Sequence, residues 1–175
     1  MITIYSSGSM GVRGNCLYPY RHKVMDAAGL REAVKHDYVC AEYKNSYRSG
    51  GNFITSNCLG MDCDNDHTDH EHEWITPDDV RRNFPDVPLA IHFSRHHMKP
   101  KDQKSARPRF HCLFAIEPTT DVKAYADMKA RLNALFPYFD AQALDGARFF
   151  FGTDDPEVDF FPGTITLNEC LERYY

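Results

Sequence analysis

The chain has 175 residues and a mass of 20.2 kDa, a size typical of one domain. With 42% hydrophobic and 26% charged residues, it is neither a disordered tail nor a fibrous repeat. No apolar run approaches the roughly 18 residues of a membrane span, and the N-terminus shows no secretory signal. We therefore expect a soluble, cytoplasmic protein with no membrane partner.

The net charge of −5 conceals a strong segregation of charge. Residues 62–79 carry eight acidic residues and no Lys or Arg, whereas residues 95–109 carry six basic residues and one acid. An acidic and a basic patch in one small domain suit a site that handles metal ions and phosphates together. Two solvated loops would give the same pattern, so charge alone does not distinguish a metal–phosphate site from two such loops.

The six cysteines form no Cys-x-x-Cys pair and no dense framework, so we expect reduced, mostly buried thiols. Cys58 and Cys63 are followed by His67, His70 and His72. These spacings match none of the tight structural zinc patterns, and no structural zinc is expected.

In the first half of the chain, residues 2–6 alternate weakly and predict an edge strand, and residues 24–35 have helical spacing. The pattern of residues 38–43 predicts a strand, and residues 49–52 predict a turn after it. Thr76-Pro77 marks the start of a helix that ends near residue 85.

In the second half, residues 88–94 alternate as a strand, and residues 109–116 form the clearest strand. Residues 121–136 form the clearest helix, and residues 149–152 indicate a further buried strand. Helices that alternate with hairpin-like strands predict an α/β (α+β) fold in which helices pack on a sheet.

Asp62 and Asp64 form the most informative motif. In an extended strand they share one face with Gly60, while Leu59, Met61 and Cys63 point into the core. Two carboxylates at this spacing can converge on one or two hard cations, and Gly60 leaves room for a ligand on their face. The alternative is a pair of acids at a strand end that faces water.

Arg109 and His111 share the polar face of the strand 109–116, directly after the basic segment. Carboxylates on one strand and an Arg/His pair on another can bind a metal–triphosphate, because the acids hold the cations while Arg and His hold phosphate oxygens. We prefer this interpretation to a purely structural histidine.

A third carboxylate is expected from Asp140 or Asp145. Asp140 follows an aromatic run, residues 136–139, that we expect to enter the sheet, whereas Asp145-Gly146 has the character of a surface turn. We expect Asp140 to join the acidic cluster, and Arg148 to reach a phosphate.

The ordered motifs Asp62-Cys63-Asp64, Ser105–His111 and Phe139-Asp140 resemble the three motifs of the archaeo-eukaryotic primase superfamily. Within it, the chain is most similar to primase-polymerase domains at the N-termini of replication proteins of bacterial plasmids, phages and integrative elements. The resemblance covers about residues 55–160. Many relatives carry a zinc-binding insertion, and this chain shows no clean one.

The resemblance implies a catalytic sheet of the RNA-recognition-motif type with helices packed on it, and a small N-terminal α/β unit. Residues 1–175 would form a single primase-polymerase domain, with residues 1–50 as the N-terminal unit and 51–175 as the catalytic core.

The implied activity is template-directed nucleotidyl transfer, as a DNA primase, a DNA polymerase or both, by two Mg²⁺ or Mn²⁺ ions. Partners would be a single-stranded DNA template, a primer strand, NTP or dNTP, and a helicase in the same or a separate chain. The residue roles that the resemblance implies are metal ligation by Asp62, Asp64 and Asp140, nucleotide phosphate contact by His111, and phosphate or template contacts by Arg109, Arg148, Arg95 and Lys99.

Two alternatives belong to other classes. A replication-initiator or relaxase-like metal-dependent nuclease would use a His-x-His pair and a tyrosine, for which His70, His72 and Tyr174 or Tyr175 are candidates. A non-catalytic nucleic-acid-binding module would use the basic segment and stack bases on aromatic residues such as Trp74.

Overall fold

The computed structural model describes residues 1–142 and 144–175. The strands are β1 (Ile2–Ser6), β2 (Tyr20–Val24), β3 (Tyr38–Val39), β4 (Glu42–Tyr43), β5 (Phe53–Cys63), β6 (Leu89–Phe93), β7 (Phe110–Thr119), β8 (Phe149–Phe150) and β9 (Val158–Phe161). The α-helices are α1 (Ala27–Ala33), α2 (Pro77–Asn83), α3 (Val122–Leu135) and α4 (Leu167–Tyr174).

The strands form two antiparallel sheets. The smaller sheet has the order β2-β1-β3-β8, and the larger has the order β4-β5-β7-β6-β9. With helices packed on the sheets, the fold is the α+β type that the sequence predicts.

One face of the larger sheet forms the main hydrophobic core. The side chains of β5 and β7 that the period-2 pattern assigned to this face are all buried there: Leu59, Met61, Cys63, Phe110, Cys112, Phe114 and Ile116. Helices α2, α3 and α4 cover them with Val80, Tyr125, Leu132, Leu167 and Leu171. The sequence therefore predicted correctly which side of these two strands faces the helices.

The opposite face of the larger sheet packs on the smaller sheet. Cys58, Leu113 and Ala115 lie in one apolar cluster with Ile4 and Phe150. A Cβ atom added to Gly60 would lie 2.6 Å from the Phe150 ring. The space above Gly60 is thus filled by Phe150, and the expectation that it admits a ligand was wrong.

Consecutive strands belong to different sheets more often than the sequence pattern indicated. Residues 38–43 divide into β3 and β4, which belong to different sheets, and β1 pairs with strands on both sides instead of lying at an edge. Strand β8 joins the smaller sheet although it follows α3 in the chain. The boundary at residue 50 stays a prediction, and β4 and β8 both connect across it.

The helix boundaries follow the local signals. The Thr76 hydroxyl accepts the Asp79 N–H at 3.3 Å, and the Asp79 carboxylate accepts the Thr76 N–H at 2.8 Å, which completes a capping box on α2. Helix α3 begins after its N-cap Asp121 and ends before Pro137. Among the described residues, no helix is long and apolar enough to cross a membrane. All six cysteines are free thiols.

The buried carboxylate of Asp37 ties the smaller sheet to the loops around it. It accepts backbone N–H groups from Gly11 at 2.8 Å, Val12 at 2.9 Å and Gly152 at 2.9 Å. Gly152 lies so close to the backbone of His36 that an added Cβ would be 2.3 Å from the His36 carbonyl carbon. Only glycine fits this approach without a shift of the backbone.

We expect Gly152→Ala to lower the free energy of unfolding by about 1–3 kcal/mol, because the methyl group meets backbone and not a side chain that could turn away. Gly50→Ala is the matched control, since an added Cβ there has no atom within 4 Å. Urea denaturation of both variants measures the difference. Equal stability of the two variants would contradict the close packing at Gly152.

Candidate active site

The register of the larger sheet places three polar residues side by side. Asp62 of β5 lies opposite His111 of β7, which in turn lies opposite His92 of β6. Directly paired residues point to the same face of a sheet, so the three side chains form a row on the face that meets the smaller sheet.

A hydrogen-bonded network extends from this row into the smaller sheet. The Nε2 atom of His111 lies 3.2 Å from Oδ1 of Asp62. The Tyr38 hydroxyl lies 3.1 Å from Nδ1 of His111 and 3.0 Å from Nδ1 of His92. Nε2 of His92 lies 2.9 Å from the Thr153 hydroxyl. The sequence analysis missed Tyr38 and His92, although His92 alternates with apolar residues in β6 as His111 does in β7.

A cavity of about 620 Å³ opens beside Asp62 and His111. Its acidic lining residues are Asp62, Asp64, Asp102 and Asp140. Its basic lining residues include Arg13, Arg95, Lys101 and Arg148. An aromatic wall is formed by Phe149, Phe150 and Phe151. The cavity therefore combines carboxylates, cations and apolar rings.

The carboxylates of the Asp62–Asp64 pair are each neutralised by a cation of the cavity. Asp62 is 7% exposed and forms a close ion pair with Arg148, and Lys101 lies 2.8 Å from Oδ2 of Asp64. The buried Nε atom of Arg148 has no hydrogen-bond partner within the described part of the chain. The Arg148 side chain is 35% exposed and lines the cavity, so it can bind an anion there while it neutralises Asp62.

Asp140 lies at the cavity, but the backbone that places it there is not the strand that we expected. The aromatic run 136–139 forms turns and not a strand, and the backbone N–H of Asp140 donates to the carbonyl of Asp62 at 2.9 Å. Asp145 is not among the residues that line the cavity, and its carboxylate accepts the Ala147 N–H at 2.7 Å. The structure thus brings Asp140, and not Asp145, to the cavity that Asp62 and Asp64 line.

The four basic residues named from the sequence have different surroundings. Arg148 and Arg95 line the cavity, and the Arg95 guanidinium lies 3.9 Å from the centre of the Phe151 ring. Lys99 lines a neighbouring cavity of about 340 Å³, which Arg95 also borders.

Arg109 is not brought to either cavity. Its side chain is 0% exposed and donates to the Asp64 carbonyl at 3.0 Å and to the Asp66 carboxylate at 3.0 Å. Arg109 therefore holds the chain that follows Asp64, which is a different role from the phosphate contact that the resemblance implies.

The histidine and aromatic candidates of the two alternative functions, His70, His72, Trp74, Tyr174 and Tyr175, are not among the residues that line the cavity, whereas Arg95 and Lys101 of the basic segment are. His70 and His72 are exposed in the acidic segment, with ring centres 5.7 Å apart. Trp74 is half-buried, lies 5.2 Å from the Arg107 guanidinium and donates its indole N–H to the Thr68 carbonyl. Its indole is thus held by contacts within the protein, one from the acidic segment and one from the basic segment.

The donor set fits a hard divalent cation. Asp62, Asp64 and Asp140 offer carboxylate oxygens to one cavity, the ligand type that Mg²⁺ and Mn²⁺ prefer. Within residues 1–142 and 144–175, no three Asp, Glu, His or Cys side chains are already gathered closely enough to hold a metal ion. The ion pairs with Arg148 and Lys101 account for the present orientation of Asp62 and Asp64.

Burial keeps both histidines of the row in the neutral form. It lowers the pKa of His111 to about 3, an effect that the Asp64 charge opposes and Arg148 reinforces. Burial also lowers the pKa of His92 well below its usual value of 6.5, and proximity to His111 adds to this. A neutral imidazole carries one N–H donor and one acceptor nitrogen.

Comparison with solved structures shows what the fold resembles. The chain is similar to the AEP domain (PP-N190) of the primase-polymerase (PrimPol) of cyanophage S-2L, with a TM-score of 0.50 and 16% sequence identity. The similarity covers 98% of this chain and 88% of that one. No protein-family model matches the sequence, and the comparison with curated proteins finds no match. At this identity, the similarity shows an AEP-like fold.

The neutral histidines make the stability of the fold depend on pH. Their pKa values are below 6.5 in the folded state, so their stabilising contribution is complete above about pH 6.5 and is lost as the pH falls towards the folded values. Between pH 7 and pH 5 we expect a loss of about 2 kcal/mol from His111 and a further loss of the same sign from His92, measured by urea denaturation at both pH values.

In the variant His92→Gln, the loss of stability between pH 7 and pH 5 should be smaller than that of the wild type. His72→Gln, which removes an exposed imidazole, is the control and should keep the wild-type loss. A wild-type protein that is as stable at pH 5 as at pH 7 would contradict the neutral, buried state of the two rings.

Proposed function

We propose that the chain catalyses template-directed nucleotidyl transfer on single-stranded DNA, as a DNA primase, a DNA polymerase or both. The observation that carries this proposal is the single cavity lined by Asp62, Asp64 and Asp140 together with Arg95, Lys101 and Arg148. A nucleoside triphosphate brings four negative charges and divalent cations. The cavity has basic side chains for the phosphate oxygens and carboxylates for the cations.

The existing ion pairs explain how such a ligand would be accommodated. The triphosphate oxygens compete with Asp62 for Arg148 and with Asp64 for Lys101, because phosphate binds guanidinium and ammonium groups in the same way as a carboxylate does. The two released carboxylates are then free to ligate cations. Charge balance in the cavity is kept before and after binding, so neither state leaves an uncompensated buried charge.

Asp62, Asp64 and Asp140 would hold Mg²⁺ or Mn²⁺, which supply Lewis-acid activation of a hydroxyl nucleophile and neutralise charge on the triphosphate. The residues of the chain bind and orient the nucleotide: Arg148, Lys101 and Arg95 bind phosphate oxygens, and His111 donates from its ring to the same group. Phe149, Phe150 and Phe151 form the apolar wall against which a sugar or base packs.

The AEP-like fold supports this proposal, because the similar solved structure is described as a primase-polymerase. A primer strand, NTP or dNTP, and a helicase in the same or a separate chain are the proposed partners. The nuclease alternative is less well supported, since His70 and His72 are exposed and do not border the cavity.

Incorporation of labelled nucleotides on single-stranded DNA tests the proposed function directly. The assay is run with and without primer, with deoxy- and ribonucleotides, and with Mg²⁺, Mn²⁺ or EDTA. Metal-dependent incorporation that follows the template sequence is the expected result. A covalent tyrosine–DNA adduct, or DNA binding that is indifferent to EDTA and accompanied by no incorporation, would overturn the proposal.

Asp64→Asn should reduce incorporation by about 100-fold or more, because a neutral amide cannot replace a charged ligand at the reacting phosphate. Asp78→Asn, at an exposed position in the first turn of α2, is the matched control and should keep wild-type activity. Near wild-type turnover in Asp64→Asn would show that this carboxylate is structural.

A second pair of variants tests the choice of the third carboxylate. Asp140→Asn should lose incorporation as Asp64→Asn does, because its side chain lines the cavity. Asp145→Asn should stay close to wild type, because the amide oxygen can still accept the Ala147 N–H. The reverse result in the same incorporation assay would transfer the metal-ligand role to Asp145.

A further inference from the structure

The hydroxyl of Tyr38 is the point at which the smaller sheet touches the polar row. It lies 3.0 Å from Nδ1 of His92 and 3.1 Å from Nδ1 of His111. The Tyr38 ring is fully buried and stacks on Phe150 with ring centres 5.3 Å apart. The hydroxyl therefore has a fixed position between the two imidazoles.

The chemistry of the partners determines the direction of each hydrogen bond. An ionised carboxylate only accepts, so the His111 nitrogen that faces Asp62, Nε2, carries the hydrogen. Nδ1 of the neutral His111 ring must then accept, and the Tyr38 hydroxyl is its donor.

The directions of the other two hydrogen bonds of the network follow from this one. Because the single hydrogen of the Tyr38 hydroxyl is given to His111, the Tyr38 oxygen accepts from Nδ1–H of His92. Nε2 of His92 is left as an acceptor, and the Thr153 hydroxyl donates to it. Every polar atom of this hydrogen-bond network has a partner in this arrangement, and the burial of both rings favours neutral imidazoles.

We infer that Tyr38 and His92 are positioning residues, which hold the His111 ring with its Nε2–H directed towards Asp62 and the cavity. The ring then presents a preorganised donor of the kind that a phosphate oxygen accepts. The effect on catalysis rests on the proposed function, whereas the arrangement of hydrogens does not. Tyr38 would thereby make the smaller sheet a part of the site.

The arrangement of hydrogens is measured in the wild-type protein without any assay of activity. Two-bond ¹⁵N–¹H spectra distinguish protonated from unprotonated ring nitrogens, and the variants His111→Ala and His92→Gln assign the signals. The expected result is a hydrogen on Nε2 of His111 and on Nδ1 of His92. A hydrogen on Nδ1 of His111 would overturn the inference, whether or not the protein incorporates nucleotides.

The positioning role is tested by Tyr38→Phe, which keeps the ring and removes the hydroxyl. We expect kcat/KM for nucleotide incorporation to fall about 10-fold and the His111 ring signals to show a changed or mixed tautomer. Tyr125→Phe is the matched control: its hydroxyl is also buried and donates to the Cys58 carbonyl at 3.0 Å, on the helix side of the same sheet.

A double-mutant cycle separates positioning from general packing. In a His111→Ala background, Tyr38→Phe should cause no further loss, because its effect acts through the missing ring. Independent, multiplicative losses would overturn the positioning role. If Tyr38→Phe folds poorly, His92→Gln replaces it in the same cycle with the same expectation. A wild-type protein that incorporates no nucleotide would refute the proposed function. The ring spectra would still decide whether the arrangement of hydrogens is correct.

Discussion

The site depends on the register between β5 and β7. A shift of one residue in this pairing would turn one of the two strands over, so that either Asp62 or His111 would face the helices and either Met61 or Cys112 would leave the core for the smaller sheet. The apolar residues that alternate with the polar ones therefore fix the register, and the polar row results from it. The pairing of β6 with β7 extends the row to His92.

Burial of this row requires that each polar group has a partner. Asp62 has Arg148 and His111, and His92 has Tyr38 and Thr153. Removing one member leaves another buried and unsatisfied, which costs more than the bond itself contributes. The smaller sheet supplies Tyr38, so the two sheets are joined by polar bonds as well as by apolar packing.

The sequence was sufficient where local pattern decides the structure. Period-2 alternation placed Asp62 and His111 on the same face correctly, the Thr76-Pro77 signal located α2, and helical spacing located α3. It was insufficient where long-range contact decides: Arg109 has the pattern of a cleft residue, yet its side chain is buried under the segment after Asp64. Tyr38 was unrecognised because its importance comes from a sheet pairing that no local signal encodes.

The buried arginines also change the field that the protein presents to its surroundings. The acidic segment 62–79 and the basic segment 95–109 are joined by ion pairs that link Asp64 to Lys101, Asp66 to Arg109, and Asp69 to Arg107 and Lys104. Opposite charges at such separations cancel within a screening length of about 10 Å at 0.1 M salt. At a distance, Asp64, Asp66 and Asp69 therefore contribute little net charge, and a polyanion that approaches this side is repelled less strongly than eight unpaired acids would repel it.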